Sequence, residues 1–147
     1  MNTASDDRTS RWLMARATWA SPVPSLDELS VCTENGVLRV RATKRVSIDD
    51  PYMVAHFPGR TIFPGVFTIE CARHAFRVAI FESLGVSCDL RSVRSVRFLA
   101  PLIEGDVLTI QGTTSGGGPH LEADADGWRS DGVRAAKLRL TFRVSTP

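Results

Sequence analysis

Pro64-Gly65-Val66-Phe67-Thr68-Ile69-Glu70-Cys71-Ala72-Arg73-His74-Ala75-Phe76-Arg77-Val78-Ala79-Ile80-Phe81-Glu82-Ser83-Leu84-Gly85 holds no proline or glycine between Val66 and Leu84. The stretch predicts a helix over 66–84, preceded by Pro64-Gly65 and closed by a glycine C-cap at Gly85. At 3.6 residues per turn it makes about five turns. Val66, Phe67, Ile69, Ala72, Phe76, Val78, Ala79, Ile80 and Phe81 spread around most of its circumference. A half-exposed surface helix would not tolerate that distribution, so the helix is expected at the centre of the molecule.

The flanking segments read as strands. From Gly36 the chain alternates, Leu38, Val40 and Ala42 against Arg39, Arg41 and Thr43, which marks a strand with one buried face. After the helix, strands are expected at 93–99, 107–112, 121–125 and 133–144. In the last, Ala136, Leu138, Leu140, Phe142 and Val144 alternate with polar neighbours, and Asp131-Gly132 before it is a hairpin signal. The glycines of Ser115 to Gly118 suit a connection between strands. Pro22 and Pro24 interrupt the N-terminal part, which is expected to give one strand near Leu13 to Trp19 and then a loop. One buried helix wrapped by five or six mostly antiparallel strands is an α+β arrangement.

With 147 residues, 43% of them hydrophobic, the chain has the size of one domain and can bury a real core. Residues 1–11 are expected to form a disordered tail and 12–147 a single domain. Lys and Arg total 18 against 16 Asp and Glu, a net charge of +2, so no general field favours nucleic acid or an anionic membrane. Cys32, Cys71 and Cys88 show no ligand spacing, and an odd count fits a reduced compartment; a metal-free, cofactor-free, cytoplasmic protein is expected. Asp6 and Asp7 stand where a signal peptide wants positive charge, and no apolar run approaches the roughly 20 residues of a membrane span.

The chemistry is concentrated in Ala55-His56-Phe57-Pro58-Gly59-Arg60-Thr61-Ile62-Phe63-Pro64-Gly65-Val66-Phe67-Thr68-Ile69-Glu70. Two Pro-Gly pairs fix a tight path that leaves a helix N-terminus at Gly65-Val66. There, free N–H groups and the helix dipole favour partial negative charge. A thioester carbonyl, whose oxygen gains charge as the adjacent C–H is deprotonated, suits such a site, and Gly65 lets a substrate approach the backbone closely. Glu70 lies one turn inside the helix, with Arg73, His74 and Arg77 three, four and seven residues on. Partial desolvation there favours a protonated carboxyl. Imidazole and a tuned carboxyl are fitting types for removing a C2 proton and protonating a departing hydroxyl.

The pattern H-F-P-G-x4-P-G-V-x3-E, running from His56 to Glu70, resembles the signature of the FabZ-type 3-hydroxyacyl-[acyl-carrier-protein] dehydratases, a hot-dog family. The likeness extends to Val46-Ser47, Asp50-Pro51-Tyr52, Arg97-Phe98, Pro101 and Gly105-Asp106, and covers roughly Gly36 to Val144. It implies a hot-dog fold and dehydration of a 3-hydroxyacyl thioester carried by acyl carrier protein or coenzyme A. His56 would take the C2 proton, Glu70 would protonate the hydroxyl and the Gly65 amide would hold the carbonyl. Phe57, Phe63, Val66 and His74 would join Gly65 in binding substrate. In those enzymes the histidine and the carboxylate of one site come from different subunits, which implies a homodimer here, with a heterodimer as the other arrangement.

Other readings stand beside this one. A buried helix glutamate is more often an ion-pair partner, and Arg73 or Arg77 could serve it. His74 reads equally as a satisfied structural histidine, and His120 as an exposed loop residue. Arg91, Arg94 and Arg97 could meet an acidic carrier protein or simply form a solvated face. The chain departs from the family at Ala55, at Thr61 and along Cys71-Ala72-Arg73-His74, which leaves the acyl group open. A hot-dog thioesterase whose helix carboxylate activates water, and a non-catalytic or specificity subunit of a heterodimer, are the alternatives.

Overall fold

In the computed structural model, which describes residues 13–15 (backbone only), 26–47 and 62–145, the expected helix runs Gly65–Leu84 (α1). It ends at Gly85, whose φ of 70° is left-handed and whose N–H donates to the Phe81 carbonyl at 2.9 Å. The strands are β1 Leu13–Ala15, β2 Glu28–Glu34, β3 Val37–Arg45, β4 Cys88–Phe98, β5 Val107–Ser115, β6 His120–Trp128 and β7 Arg134–Val144. They form one sheet in the order β1-β2-β3-β5-β6-β7-β4, with every pairing antiparallel. Six strands of seven or more residues wrap the helix, and the three-residue β1 adds a seventh at one edge. The tail expected at 1–11 and the rest of the strand expected near Leu13 to Trp19 lie outside the described residues.

β2 is a strand where a loop was expected. Its Leu29 and Val31 turn inward, and it joins β3 through Asn35-Gly36, whose φ values of 53° and 78° make the left-handed pair that a two-residue hairpin needs. Asp131-Gly132 also turns as expected. Asp131 is held there by its ion pair with Arg129 and by accepting a hydrogen bond from the Val133 amide at 3.1 Å, and Gly132 has φ 88°. His120, expected in a loop, is exposed but opens β6.

The core lies between α1 and one face of the sheet. Leu38, Val40 and Ala42 of β3, Leu108 and Ile110 of β5, and Leu138, Leu140 and Phe142 of β7 all turn inward, as period-two alternation dictates. From the helix, Cys71, Ala72, Ala75, Phe76, Ala79 and Ile80 are completely buried. The small residues among them let the sheet close in, while Phe76 meets Phe142 at a ring-centroid distance of 6.1 Å. Each large side chain so buried contributes about 1.5–3 kcal/mol.

β4 is the other edge and was expected only from Val93. Two register shifts, between Leu90 and Ser92 and between Val93 and Ser95, set Arg91 and Arg94 out of the ladder as bulge residues. Leu90, Val93 and Val96 therefore oppose Phe142, Leu140 and Leu138 on the inner face although they recur every third residue.

Candidate functional site

The helix expected at the centre of the molecule has one uncovered stripe. Val66, Phe81 and Leu84 are 62%, 41% and 52% exposed, and Glu70, Arg73 and Arg77, half-buried, lie between them on the same face. The inner side of β4 continues this open surface through Val93, 40% exposed, and Phe98, 52% exposed.

The helix begins at Pro64, which is extended (φ −64°, ψ 138°) and gives no side-chain cap, and its first turn carries no acidic residue. The approach to it is pinned to the loop after β4: the Phe63 amide donates to the Leu102 carbonyl at 2.7 Å, and Ile62 bridges to Ile103. Between these segments opens an apolar groove of about 520 Å³ lined by Phe63, Gly65, Val66, Phe98, Leu99 and Leu102, among others. The amide end of a helix faces an apolar groove, an arrangement suited to a greasy ligand that bears a polarisable carbonyl.

Val66 links groove and carboxylate, because Glu70 stands one turn further along the same stripe. The Glu70 side chain is 23% exposed, as expected, but it is not simply desolvated. Arg73 grips it with both arms: Nε donates to Oε1 at 2.8 Å, and the terminal amino group donates to Oε2. This is the ion pair weighed from the spacing. The Arg73 pKa is raised above its usual value chiefly by that hydrogen bond. Arg77 turns to β4 instead, donating from Nε to the Cys88 carbonyl at 3.0 Å and standing 3.9 Å from Asp89.

Of the residues singled out from sequence, Phe63, Gly65 and Val66 meet in the groove, and Glu70, which is not part of its lining, follows Val66 one turn along α1. His74 is buried, 7% exposed, and is not part of the groove lining. His56 and Phe57 lie outside the described residues. Phe98, Leu99 and Leu102 were missed as lining residues, although an apolar Phe98-Leu99 after a strand, followed by Pro101, carried a signal. Arg91, Arg94 and Arg97 are exposed along the β4 edge.

A second concavity of about 680 Å³ lies on the sheet face turned away from the helix, walled by Arg39, Arg41, Asp124, Asp126, Lys137 and Arg139. Within it Arg139 pairs with Asp124 at 2.8 Å, and Asp126 stands 3.6 Å from Arg134 beside it, as on a solvated sheet surface. Among the described residues, no group of three or more His, Cys, Asp or Glu side chains is placed to hold a metal ion, and no helix is long and apolar enough to cross a membrane.

Residues 32–122 match the model of the ApeI-like family, whose description is ApeI dehydratase. The 3-hydroxyacyl-[acyl-carrier-protein] dehydratase FabZ of Aromatoleum aromaticum is 30% identical over 114 residues, which cover 74% of this chain and 79% of that protein. FabZ of Ehrlichia chaffeensis is 33% identical over 90 residues, covering 60% of this chain and 62% of that one. The match to FabZ of Cronobacter sakazakii spans about half of either protein, 50% and 52%. Among solved structures, yhdA of Lactococcus lactis, a thioesterase by name, superposes with a TM-score of 0.68 at 11% identity, covering 81% of this chain and 91% of that one. An acyl-CoA hydrolase mutant of Staphylococcus aureus in complex with coenzyme A gives 0.63 at 19% identity, covering 74% and 65%. At such identities these neighbours show the hot-dog fold alone.

Proposed function

Because this chain belongs to the ApeI-like family of dehydratases, with FabZ enzymes among its relatives, we propose that it removes water from a 3-hydroxyacyl thioester to give the 2-enoyl thioester. The imidazole of His56 takes the C2 proton, and the freed electron pair forms the C2–C3 double bond. The C3–O bond breaks, and the hydroxyl leaves as water with a proton from Glu70. The Gly65 amide at the helix N-terminus stabilises the charge that builds on the thioester oxygen. Phe63, Val66 and Phe98 contact the start of the acyl chain.

The observation that carries this reading is the contiguity of Glu70, Val66 and the groove at the amide end of α1. A second copy of the chain completes the site, so that His56 of one subunit works with Glu70 of the other. The uncovered stripe of α1, with Val66, Phe81 and Leu84 exposed, beside the open edge of β4 supports that assembly. The carrier is acyl carrier protein, with coenzyme A as the smaller substitute. The three free, buried cysteines fit a cytoplasmic setting.

The test offers a 3-hydroxyacyl thioester on each carrier and follows loss of water and release of free thiol by mass spectrometry. An enoyl product without thiol release is the expected outcome. Thiol release without an enoyl product would establish the second reading, a thioesterase, which one observation favours: a carboxylate gripped by Arg73 is in the form that activates water.

A further inference from the structure

Arg73 and Glu70 stand three residues apart on the uncovered stripe of α1, and both carboxylate oxygens are occupied by the guanidinium. A fork-to-fork pair fixes the plane of the carboxylate as well as its charge, which a single lysine contact would not do. Among the described residues, charged and titratable groups lie close to the pair on two elements. On α1 they are His74 and Arg77. From β4 comes Asp89, which also acts on Arg73 and lies beside Arg77. Arg77 is drawn to the Cys88 carbonyl and Asp89, so of these two arginines it is Arg73 that pairs with Glu70.

We propose that Arg73 is a positioning residue that holds Glu70 as an anion in the resting enzyme and sets the angle its carboxylate presents to the reacting hydroxyl. This rests on the dehydratase reading and deepens it. Glu70 and His56 share one proton in the working state, and Arg73 keeps that proton on the imidazole. The elimination then starts from the less populated form, in which the proton has passed to Glu70. The acid limb of kcat/KM marks the point at which Glu70 gains a proton while the imidazole is still charged, and Arg73 holds that limb at low pH.

The test has two arms on the full-length protein. In the first, Glu carboxyl carbons are labelled with carbon-13, the Glu70 signal is assigned through Glu70→Gln, and its titration is followed by NMR in the wild type, Arg73→Met and Arg73→Lys. The Arg73→Met midpoint is expected to lie about one pH unit or more above wild type, with Arg73→Lys restoring most of the difference. In the second, the acid limb of kcat/KM for a 3-hydroxybutyryl thioester moves up with the midpoint. Coincident midpoints, or a lower rate with the limb unmoved, would overturn the proposal. The titration needs no turnover, so a displaced midpoint in a protein that forms no enoyl product overturns the dehydratase reading and leaves the clamp standing.

Discussion

The ring of Phe98 lies so close to Gly65 that a Cβ built on the glycine would stand 2.7 Å from Cζ and 2.8 Å from Cε2. The end of β4 and the start of α1, more than thirty residues apart in the chain, thus meet where only a hydrogen fits. Glycine at 65 answers to this ring as well as to any substrate that approaches the helix N-terminus. The polar end of α1 and the apolar wall of the groove are therefore set in register by one contact.

A methyl group at residue 65 should be relieved by turning the half-exposed Phe98 ring. Gly65→Ala is expected to cost about 1 kcal/mol, the lower end of overpacking. In a Phe98→Ala background most of that cost should vanish, as read from urea unfolding in a double-mutant cycle. Strict additivity of the two changes would show that the contact is not made.

Gly112 presents the opposite case. A Cβ there would lie 2.3 Å from the Asp124 carbonyl oxygen and 2.8 Å from the Ala125 Cα, both backbone atoms of the neighbouring β6. No side chain can swing away, so Gly112→Ala should destabilise by about 3 kcal/mol, the upper end for overpacking. A thermal unfolding midpoint equal to wild type would rule out this close approach of β5 to β6.

Phe76→Ala empties the space between α1 and Phe142 and should cost about 3–5 kcal/mol by urea unfolding. Val66→Ala, on the stripe that a single chain leaves uncovered, should change monomer stability by no more than about 0.5 kcal/mol.

The central helix was legible because no proline or glycine interrupts Val66 to Leu84 and Gly85 closes it, and the last strand because the period of two in Leu138, Leu140 and Phe142 is undisturbed. β4 was read only in part because its two bulges stretch the inward residues Leu90, Val93 and Val96 to every third position, which matches neither period. β2 was hidden because Val31 and Cys32 are both buried and break the period of two, although Asn35-Gly36 marks the hairpin that ends it. At the site, Glu70 and the glycine of the helix start were visible as a motif. The contact of Phe98 with Gly65 was not, because it depends on where a distant strand ends. The choice of Arg73 over Arg77 as partner was equally hidden, since β4 decides it by offering Arg77 a carbonyl and Asp89.

If a second copy covers the β4 edge, a charge at its centre should prevent assembly. Val93→Glu is expected to turn a dimer into a monomer in sedimentation velocity, with the circular dichroism spectrum retained. An unaltered sedimentation coefficient would exclude this edge as the interface.

The cysteines should be inert in the native protein. Cys32, Cys71 and Cys88 are all buried, and burial pushes the Cys88 thiol up to about 11. At pH 8 only about one Cys88 in a thousand is then thiolate, so iodoacetamide should leave it unlabelled until denaturant is added. Rapid labelling at pH 8, detected by mass spectrometry, would contradict that burial.

The paired irregularities at Arg91 and Arg94 also bear on what β4 refuses. A long, flat, unguarded margin invites strand after strand to stack on it without end, the first step toward fibrils. A margin that kinks twice and pushes an arginine out at each kink accepts only a counterpart with the matching irregularities. Straightening it by deleting one extra residue would expose a smoother template, and with it a greater tendency to aggregate.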